Sequence, residues 1–264
     1  MILSSPTLSV SIISHNEEDN IGRCIEAVRD IATEIIVVDS GSTDKTVEIA
    51  LAHGAAVFPE EWKGHVRQKN SAFEKCSCDW ILALDCDEVV SPELKEAILR
   101  AVEREECTGY QVNRKTIYLG RWIEHAWYPD WNLRLIRRNA GTWTGLDPHD
   151  SLMTTGRVDR LAGDLLHFSF RDFQDCLQRT VRYAASASQS YQRDGRRVRL
   201  HNLLINPLHG FIKHYFVKKG LLDGVPGFVI SVMSAISIFM KYVLLWERQN
   251  VAREKGPDAG DGKA

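Results

Sequence analysis

Several common functional motifs are missing from this chain of 264 residues. No G-x-G-x-x-G fingerprint and no P-loop follow its apolar runs, so neither of the two usual phosphate-cradling loops is predicted. The sequence shows no helix-turn-helix, zinc-finger or RNA-recognition motif, which argues against nucleic acid as a partner. The six cysteines form no paired C-x-x-C set with zinc spacing, and no secretory leader is visible. We therefore expect reduced thiols and a cytoplasmic protein.

The small net charge of −2 hides an uneven distribution along the chain. Residues 1–110 carry 10 Lys and Arg against 21 Asp and Glu, whereas residues 111–264 carry 23 against 14. An acidic first half suits metal binding. A basic second half suits diphosphates, phosphorylated acceptors or an anionic membrane face.

Apolar runs alternate with helical segments in the first half of the chain. The runs 8–13, 35–38, 55–58 and 80–84 predict strands, and helices are predicted over 20–31, 43–53, 66–76 and after Ser91-Pro92. This alternation predicts an α/β protein with a mostly parallel sheet and helices on both faces. Beyond Gly109, segments 110–118 and 133–137 predict antiparallel strands, 172–191 predicts a helix, and basic helical segments run from 206 to 220.

An apolar segment near the end of the chain bears on membrane association. Residues 225–246 contain a single charge, Lys241. Three interpretations stay open: a helix lying in the membrane interface, a buried helix or oligomer contact, and a membrane span. Lys218, Lys219 and Arg248 flank the segment and could meet anionic lipid. We place it in a helical extension over 171–254, followed by a disordered tail over 255–264.

Two acidic strand ends carry the strongest functional signal. Asp39 closes one predicted strand and opens the turn 39–44 (DSGSTD), while Asp85 and Asp87 follow another. Open α/β sheets bind ligands beyond the carboxyl ends of their strands. If extended, the second segment places Asp85 and Asp87 on one face, which predicts a Mg²⁺ or Mn²⁺ site beside a nucleotide diphosphate. The alternatives are a solvated acidic loop, and for Asp39 a role confined to shaping the turn.

Three further residues are candidates for the same site. Lys69, on the helix 66–76, could touch the nucleotide, although an exposed basic helix face fits equally well. Asp150, after His149, could supply a general base because a carboxylate in a partly dry cleft can be tuned toward neutrality; the alternative is a capping Asp in a turn. His167 follows an apolar run and is by default a core histidine; otherwise it contacts diphosphate or metal.

Aromatic residues gather between positions 122 and 131. Trp122, Trp127 and Tyr128 could stack on the apolar faces of an acceptor sugar, and Asp130 could bind its hydroxyls. The alternative is ordinary packing of a second core.

Several of these segments together resemble family 2 glycosyltransferases with the GT-A fold. The segments are 11–18 (SIISHNEE), 37–46 (VVDSGSTDKT) and 84–88 (LDCDE). The later segments 119–123 (LGRWI), 127–130 (WYPD), 133–135 (LRL), 148–150 (PHD) and 220–224 (GLLDG) look like those of lipopolysaccharide-core β-glucosyltransferases. The resemblance covers about residues 8–246 and assigns residues 1–170 to the GT-A domain.

The resemblance implies inverting transfer of a hexose from a nucleotide-diphosphate sugar, usually UDP-linked, to a saccharide or glycolipid acceptor at the inner membrane. Asn16 and Lys69 would contact the nucleotide sugar. The uridine contact would be Asp39, and the ribose and metal carboxylates would be Asp85 and Asp87. Asp150 would be the base, at a position where this subgroup commonly carries Glu, whose side chain is one methylene longer.

Two other functions are weighed against this one. A sugar nucleotidyltransferase also uses carboxylates and metal on such a sheet, but it needs a glycine-rich loop after the first strand, which 14–17 (SHNE) does not provide. A non-catalytic, membrane-associated adaptor of the same fold is the second alternative. The complete set of candidate carboxylates argues against it.

Overall fold

The computed structural model describes residues 6–104, 106–146 and 149–254. The chain separates into two compact units. Unit 1 comprises residues 1–116 and 129–169, and unit 2 comprises residues 117–128 and 170–264. The predicted tail at 255–264 lies outside the described residues, as do Asp147 and Pro148.

Unit 1 is built on a mixed sheet. The strands of the described chain, of which β7 and the last two residues of β6 belong to unit 2, are β1 (Leu8–Ser14), β2 (Glu34–Asp39), β3 (Ala56–Pro59), β4 (Trp80–Asp85), β5 (Glu88–Val90), β6 (Gly109–Tyr118), β7 (Arg121–Trp122), β8 (Trp131–Arg137), β9 (Gly141–Leu146), β10 (His149–Thr154) and β11 (Val158–His167). The sheet order is β3-β2-β1-β4-β8-β6-β11-β5, with β3, β2, β1 and β4 all parallel. Strand β8 pairs antiparallel with β6, as predicted, and it also pairs antiparallel with β4. Strands β9 and β10 form a separate hairpin, and β7 pairs with the last residues of β6 in unit 2.

The sheet is covered on both faces, and the side chains on both sides of strands β1, β2 and β4 are mostly buried. Successive side chains of a strand point to opposite faces, so Leu82 and Leu84 of β4 join one core cluster while Ile81 and Ala83 join another. Residues of α1 and α4 pack into the first cluster, and α3 supplies Phe73 to the second. The predicted α/β class, with the GT-A arrangement of parallel strands and helices on both faces, is confirmed.

The helices of unit 1 differ from prediction mainly at their ends. They are α1 (Ile21–Glu26), α2 (Thr46–Ala52), α3 (His65–Glu74) and α4 (Pro92–Val102). The extent of α1 was predicted wrongly, to residue 31: after Glu26 the chain tightens into turns, with Val28 N donating to Ile25 O and Ile31 N to Val28 O. The start of α4 follows prediction, since Ser91 Oγ accepts from Leu94 N and proline follows the cap.

Unit 2 is helical. Its elements are α5 (Phe173–Arg193), α6 (Leu200–Ile212), a π-helical turn (Lys213–Val217), a 3₁₀ turn (Gly220–Asp223) and α7 (Gly224–Glu254). The helix predicted from 172 to 191 is confirmed as α5. Residues 220–250 form the one segment of the described chain that is long and apolar enough to cross a membrane, with mean hydropathy 2.1 and 22% of its most apolar window buried. Length and composition alone are weak evidence for a span, because core helices of soluble proteins pass the same test.

Candidate active site

Asp39 organises the turn that follows β2. Its side chain is 2% exposed. One oxygen accepts from the backbone N–H groups of Gly41 and Ser42, and the other accepts from the hydroxyls of Ser14 and Ser42. Gly41 has a φ of 81°, the left-handed region that glycine enters without steric cost. All four acceptor positions of Asp39 are therefore used by the protein, and a direct bond to a nucleotide would require the Ser42 hydroxyl to turn away.

Asn16 braces the same turn from the loop after β1. Its backbone φ is 54°, a conformation that asparagine tolerates better than most residues. Its side-chain oxygen accepts from Thr43 N at 2.8 Å, and its backbone N–H donates to Ser42 Oγ at 2.9 Å. The loops at the ends of β1 and β2 are thus joined by the residues predicted to meet the nucleotide.

The segment from Asp85 to Asp87 is not extended, so the condition under which the two carboxylates were predicted to share a face is not met. Cys86 and Asp87 form a turn between β4 and β5 rather than an extended segment. Glu88 closes this turn, because its Oε2 accepts from Asp85 N at 3.0 Å, and the Cys86 thiol donates to Ile13 O at 3.2 Å. Asp85 therefore contacts Lys69 and Arg134, whereas Asp87 contacts His167.

Lys69 joins Asp85 to Asp150. Its ammonium lies 3.1 Å from Asp85 Oδ1 and 2.9 Å from Asp150 Oδ2, with the lysine side chain 12% exposed. Asn70 fixes the neighbouring hairpin, since its amide donates to Trp143 O and accepts from Trp143 N, each at 2.9 Å. Helix α3 therefore positions both the Lys69 ammonium and the β9–β10 hairpin, which carries the candidate base Asp150.

Arg134 and Glu88 extend this contact into a network that the sequence analysis did not identify. Arg134 Nη2 lies 2.9 Å from Asp85 Oδ2 and 2.7 Å from Glu88 Oε1. Glu88 is fully buried, and Arg114 approaches it at 3.8 Å while binding Asp130 at 2.8 Å. Acids and bases alternate through what we call the ion-pair network. Its members in order are Asp130, Arg114, Glu88, Arg134, Asp85, Lys69 and Asp150.

Burial and opposite charge set the protonation of this network. Burial raises the pKa of Asp85, but Lys69 and Arg134 outweigh it and hold that pKa well below its usual value. Burial lowers the pKa of Lys69, but Asp85 and then Asp150 raise it above the ordinary value despite the nearby Arg134. Burial raises the pKa of Glu88, and Arg134 opposes that change only in part. Lys69 is therefore a cation and Asp85 an anion at neutral pH.

Asp87 faces His167 at the opposite side of the turn. Asp87 Oδ2 lies 3.3 Å from His167 Nε2, and the other ring nitrogen lies 3.1 Å from Thr116 Oγ1. Strand β11 pairs with β5 in a register that sets His167 opposite Glu88. The described residues contain no group of three or more His, Cys, Asp or Glu side chains that could hold a metal ion. A carboxylate and an imidazole are side chains that could hold a divalent cation, and Thr116 is placed to orient the imidazole.

The residues predicted to bind the acceptor fall into both units. Asp130 belongs to unit 1, where Arg114 binds it through two nitrogens. Trp122, Trp127 and Tyr128 belong to unit 2, and each is half-buried. The ring of Trp127 packs in the core of that unit, with centroid distances of 5.5 Å to Tyr118 and 5.8 Å to Phe170.

Some of the missed residues had a readable signal. Arg134 stands between Leu133 and Leu135 in a strand, and a charge on a buried strand must find a partner. Glu88 likewise begins an apolar strand, directly before Val89 and Val90, and it too needs a partner for its charge. The ion-pair partners of Arg134 and Glu88 depend on which strands become neighbours. Strand β8 lies beside β4, and this pairing cannot be read from the residues alone.

The chain belongs to glycosyltransferase family 2. The model of that family, described as glycosyl transferase family 2, matches residues 9–156, more than half of the chain. The chain is 31% identical to the lipopolysaccharide core biosynthesis glycosyltransferase LpsC of Rhizobium meliloti, a match that covers 96% of this chain and 97% of LpsC. It is 29% identical to the uncharacterized glycosyltransferase RT0209 of Rickettsia typhi, over 91% of this chain and 87% of that protein.

Solved structures of glucosyl-3-phosphoglycerate synthase from Mycobacterium tuberculosis are similar over part of the chain. One, a complex with Mn²⁺, uridine diphosphate and glucosyl-3-phosphoglycerate, is 26% identical. The match covers 44% of this chain and 45% of that structure, with a TM-score of 0.36. Family membership confirms that the protein is a glycosyltransferase. It also disfavours the nucleotidyltransferase and adaptor interpretations.

Proposed function

We propose that this enzyme transfers a hexose from a UDP-linked sugar to a saccharide or glycolipid acceptor of the lipopolysaccharide core, with inversion at the anomeric carbon. One observation carries the proposal. Lys69 holds Asp85 and Asp150 within 3.1 Å of a single ammonium, at the carboxyl end of β4. Asp87 and His167 lie directly beyond the same strand end. These are the groups that we propose to bind the donor and accept the proton, and the carboxyl ends of strands are where an α/β sheet binds ligands.

In the proposed reaction, an acceptor hydroxyl attacks the anomeric carbon from the face opposite the diphosphate. The new C–O bond forms as the bond to the diphosphate oxygen breaks, and the electron pair stays on the diphosphate. Asp150 takes the proton of the attacking hydroxyl. Asp87 and His167 would hold Mg²⁺ or Mn²⁺, which when bound neutralises charge on the leaving diphosphate.

Asp85 would bind the donor ribose, with Lys69 and Asn16 beside the nucleotide and Asp39 near the uracil through its turn. Asp130 of unit 1 would contact the acceptor, while an acceptor contact by Trp122 and Tyr128 of unit 2 stays a prediction. Trp127 would offer only the part of its ring that its packing leaves exposed. We place the enzyme in the cytoplasm, peripheral to the inner membrane, as the relationship to LpsC suggests.

The proposal is tested by nucleotide release. We expect the purified enzyme to release UDP slowly from UDP-glucose, UDP-galactose or UDP-N-acetylglucosamine when Mg²⁺ or Mn²⁺ is present, and to stop when the metal is chelated. The Asp87→Ala variant should lose the stimulation by metal, because it removes one of two protein ligands. A donor at about 100 times its dissociation constant should stabilise the fold by about 2.7 kcal/mol, which identifies the preferred sugar by thermal shift. Metal-independent release, or equal stimulation of Asp87→Ala, would refute the site.

A further inference from the structure

One face of α6 and of the π-helical turn carries large apolar side chains that remain exposed. Leu200, Leu204, Leu208, Ile212 and Phe216 recur every fourth residue and so form a single row along the helix. Ile205 and Val217 widen this row. Exposure reaches 71% at Leu200 and 72% at Val217. We call these seven residues the apolar strip.

The strip faces away from the only close helical partner that the described part of unit 2 gives to α6. The inner face of α6 packs on α7: an added Cβ at Gly210 would lie 2.4 Å from Ile238 Cδ1, so the two helices are in close contact there. Asn206 also donates to the Tyr242 hydroxyl at 3.0 Å. The aliphatic side chains on the other face remain exposed, and of the strip Phe216 also contacts the rings of Tyr215 and Phe211 at centroid distances of 5.0 and 6.4 Å. A contiguous apolar face of this size marks a binding surface.

Positive charge flanks the strip at both ends. Between residues 193 and 219 the only acid is Asp194. Four arginines precede or open α6, and three lysines lie in the π-helical turn and just after it. They are Arg193, Arg196, Arg197, Arg199, Lys213, Lys218 and Lys219. An apolar helix face bordered by Lys and Arg is typical of a helix that lies in the plane of an anionic membrane.

The arrangement of charge argues against a second copy of the chain as the occupant. Because both ends of the strip are basic, pairing two strips in either direction would bring like charges together. Anionic lipid headgroups match both ends, while acyl chains accept the leucines between them.

We propose that the apolar strip docks in the interface of an anionic phospholipid bilayer, with α6 and the π-helical turn lying along the surface rather than crossing it. The docking element is then α6, and the longer α7 is the helix that supports it. This inference does not depend on the sugar-transfer chemistry, because vesicle binding is measured without donor or acceptor.

The experiment is flotation of the full-length protein with two kinds of vesicle, phosphatidylcholine alone and phosphatidylcholine mixed with phosphatidylglycerol. We expect binding to the mixed vesicles that weakens at high salt. The double substitution Leu204→Glu and Leu208→Glu should weaken this binding on the order of 10²-fold. It removes two leucines that the bilayer would bury and adds two negative charges that anionic lipid repels. The matched control, Leu51→Glu with Leu99→Glu, changes two exposed leucines of unit 1 and should bind like the wild type.

A second pair of substitutions separates charge from apolar burial. Lys213→Gln with Lys218→Gln should weaken binding to the mixed vesicles about 25-fold, at about fivefold per charge, and leave binding to phosphatidylcholine unchanged. If the leucine variant does not fold, the single substitution Leu200→Glu at the most exposed leucine serves instead.

Two results would overturn the proposal. One is flotation of the leucine variant equal to that of the wild type. The other is a dimer in sedimentation that the leucine variant abolishes, which would assign the strip to a second copy.

Discussion

Units 1 and 2 place their apolar and charged side chains in opposite ways. Unit 1 buries an apolar core cluster on each face of its sheet and gathers charge near the carboxyl end of β4, where Glu88, with no exposed surface, is held by Arg134. Unit 2 leaves most of the large exposed apolar side chains of the described chain on its helices, and its charges lie around them. Unit 1 therefore gains geometric precision from its charges, whereas unit 2 has an apolar surface available for a partner. The comparison separates a site for chemistry from a surface for docking.

The largest effect should come from the candidate base in unit 1. We expect Asp150→Asn to lower kcat by about 10²–10⁴-fold, because an amide cannot take the acceptor proton. Asp30→Asn is the control, since the Asp30 side chain is exposed and forms an ion pair with Lys95 away from the candidate site. Turnover is measured with the best donor, and donor binding is checked by thermal shift. Full turnover by Asp150→Asn with unchanged donor binding would remove Asp150 from the role of base.

The ion-pair network should make unit 1 sensitive to the loss of one charge. We expect Lys69→Met to lower the free energy of unfolding by about 3 kcal/mol, because it leaves two carboxylates without their shared cation. Lys95→Met should cost less than about 1 kcal/mol, since its partner Asp30 is 65% exposed. Urea denaturation measures both. Equal costs would show that the network is no more stabilising than a surface pair.

Asp223 is a charged side chain of unit 2 with several hydrogen-bond partners, and it offers the matching test. Its carboxylate accepts from the backbone N–H groups of residues 124, 125 and 126 and from His125 Nδ1. We expect Asp223→Ala to cost roughly 2 kcal/mol, as expected when charge-assisted hydrogen bonds are lost. Hydrogen exchange of residues 124–126 should accelerate. Asp194→Ala, which loses only an exposed contact with Arg196, should leave these amides unchanged.

The smallest effect concerns acid sensitivity, which we assign to unit 1. Lys75, Lys63 and Ser71 lower the pKa of Glu60 from 4.5 to about 2. A folded-state pKa below the unfolded one adds stability that is fully present above pH 4.5 and is lost as the pH falls toward about 2. The melting temperature of Glu60→Gln should therefore fall less steeply than that of the wild type in this window. Glu61→Gln, at the exposed neighbouring position, should retain the wild-type slope.

The first half of the fold could be predicted from sequence because local pattern determines it. The apolar runs that became β1, β2 and β4 are buried on both faces, so periodicity and strand length identify them. Short elements were missed. Strand β5 has three residues, and β7 has two. They form because a neighbouring strand supplies hydrogen-bond partners. A short stretch of sequence does not show which strand that will be.

The candidate site shows the same limit. Asp85, Lys69 and Asp150 were predicted one by one, and the structure brings them together. The ion-pair partners of Arg134 and Glu88 were missed because strand pairing determines them. The expectation for Asp87 depended on an extended backbone, and the turn at Cys86 replaced it. Trp127 was predicted either to stack on an acceptor sugar or to pack in a second core. In the structure its half-buried ring packs against the core cluster of unit 2.

The alternating order of the ion-pair network constrains how this enzyme can change over evolutionary time. Reversing the sign of an interior member such as Arg134 sets it against two like-charged neighbours at once, so a single exchange is penalised twice. Tolerated changes should therefore arrive as compensating pairs. Homologues should show correlated substitution between positions on β4, β8 and α3 that are far apart in sequence. The network would thus leave a record of itself in sequence variation, even at positions that never touch a substrate.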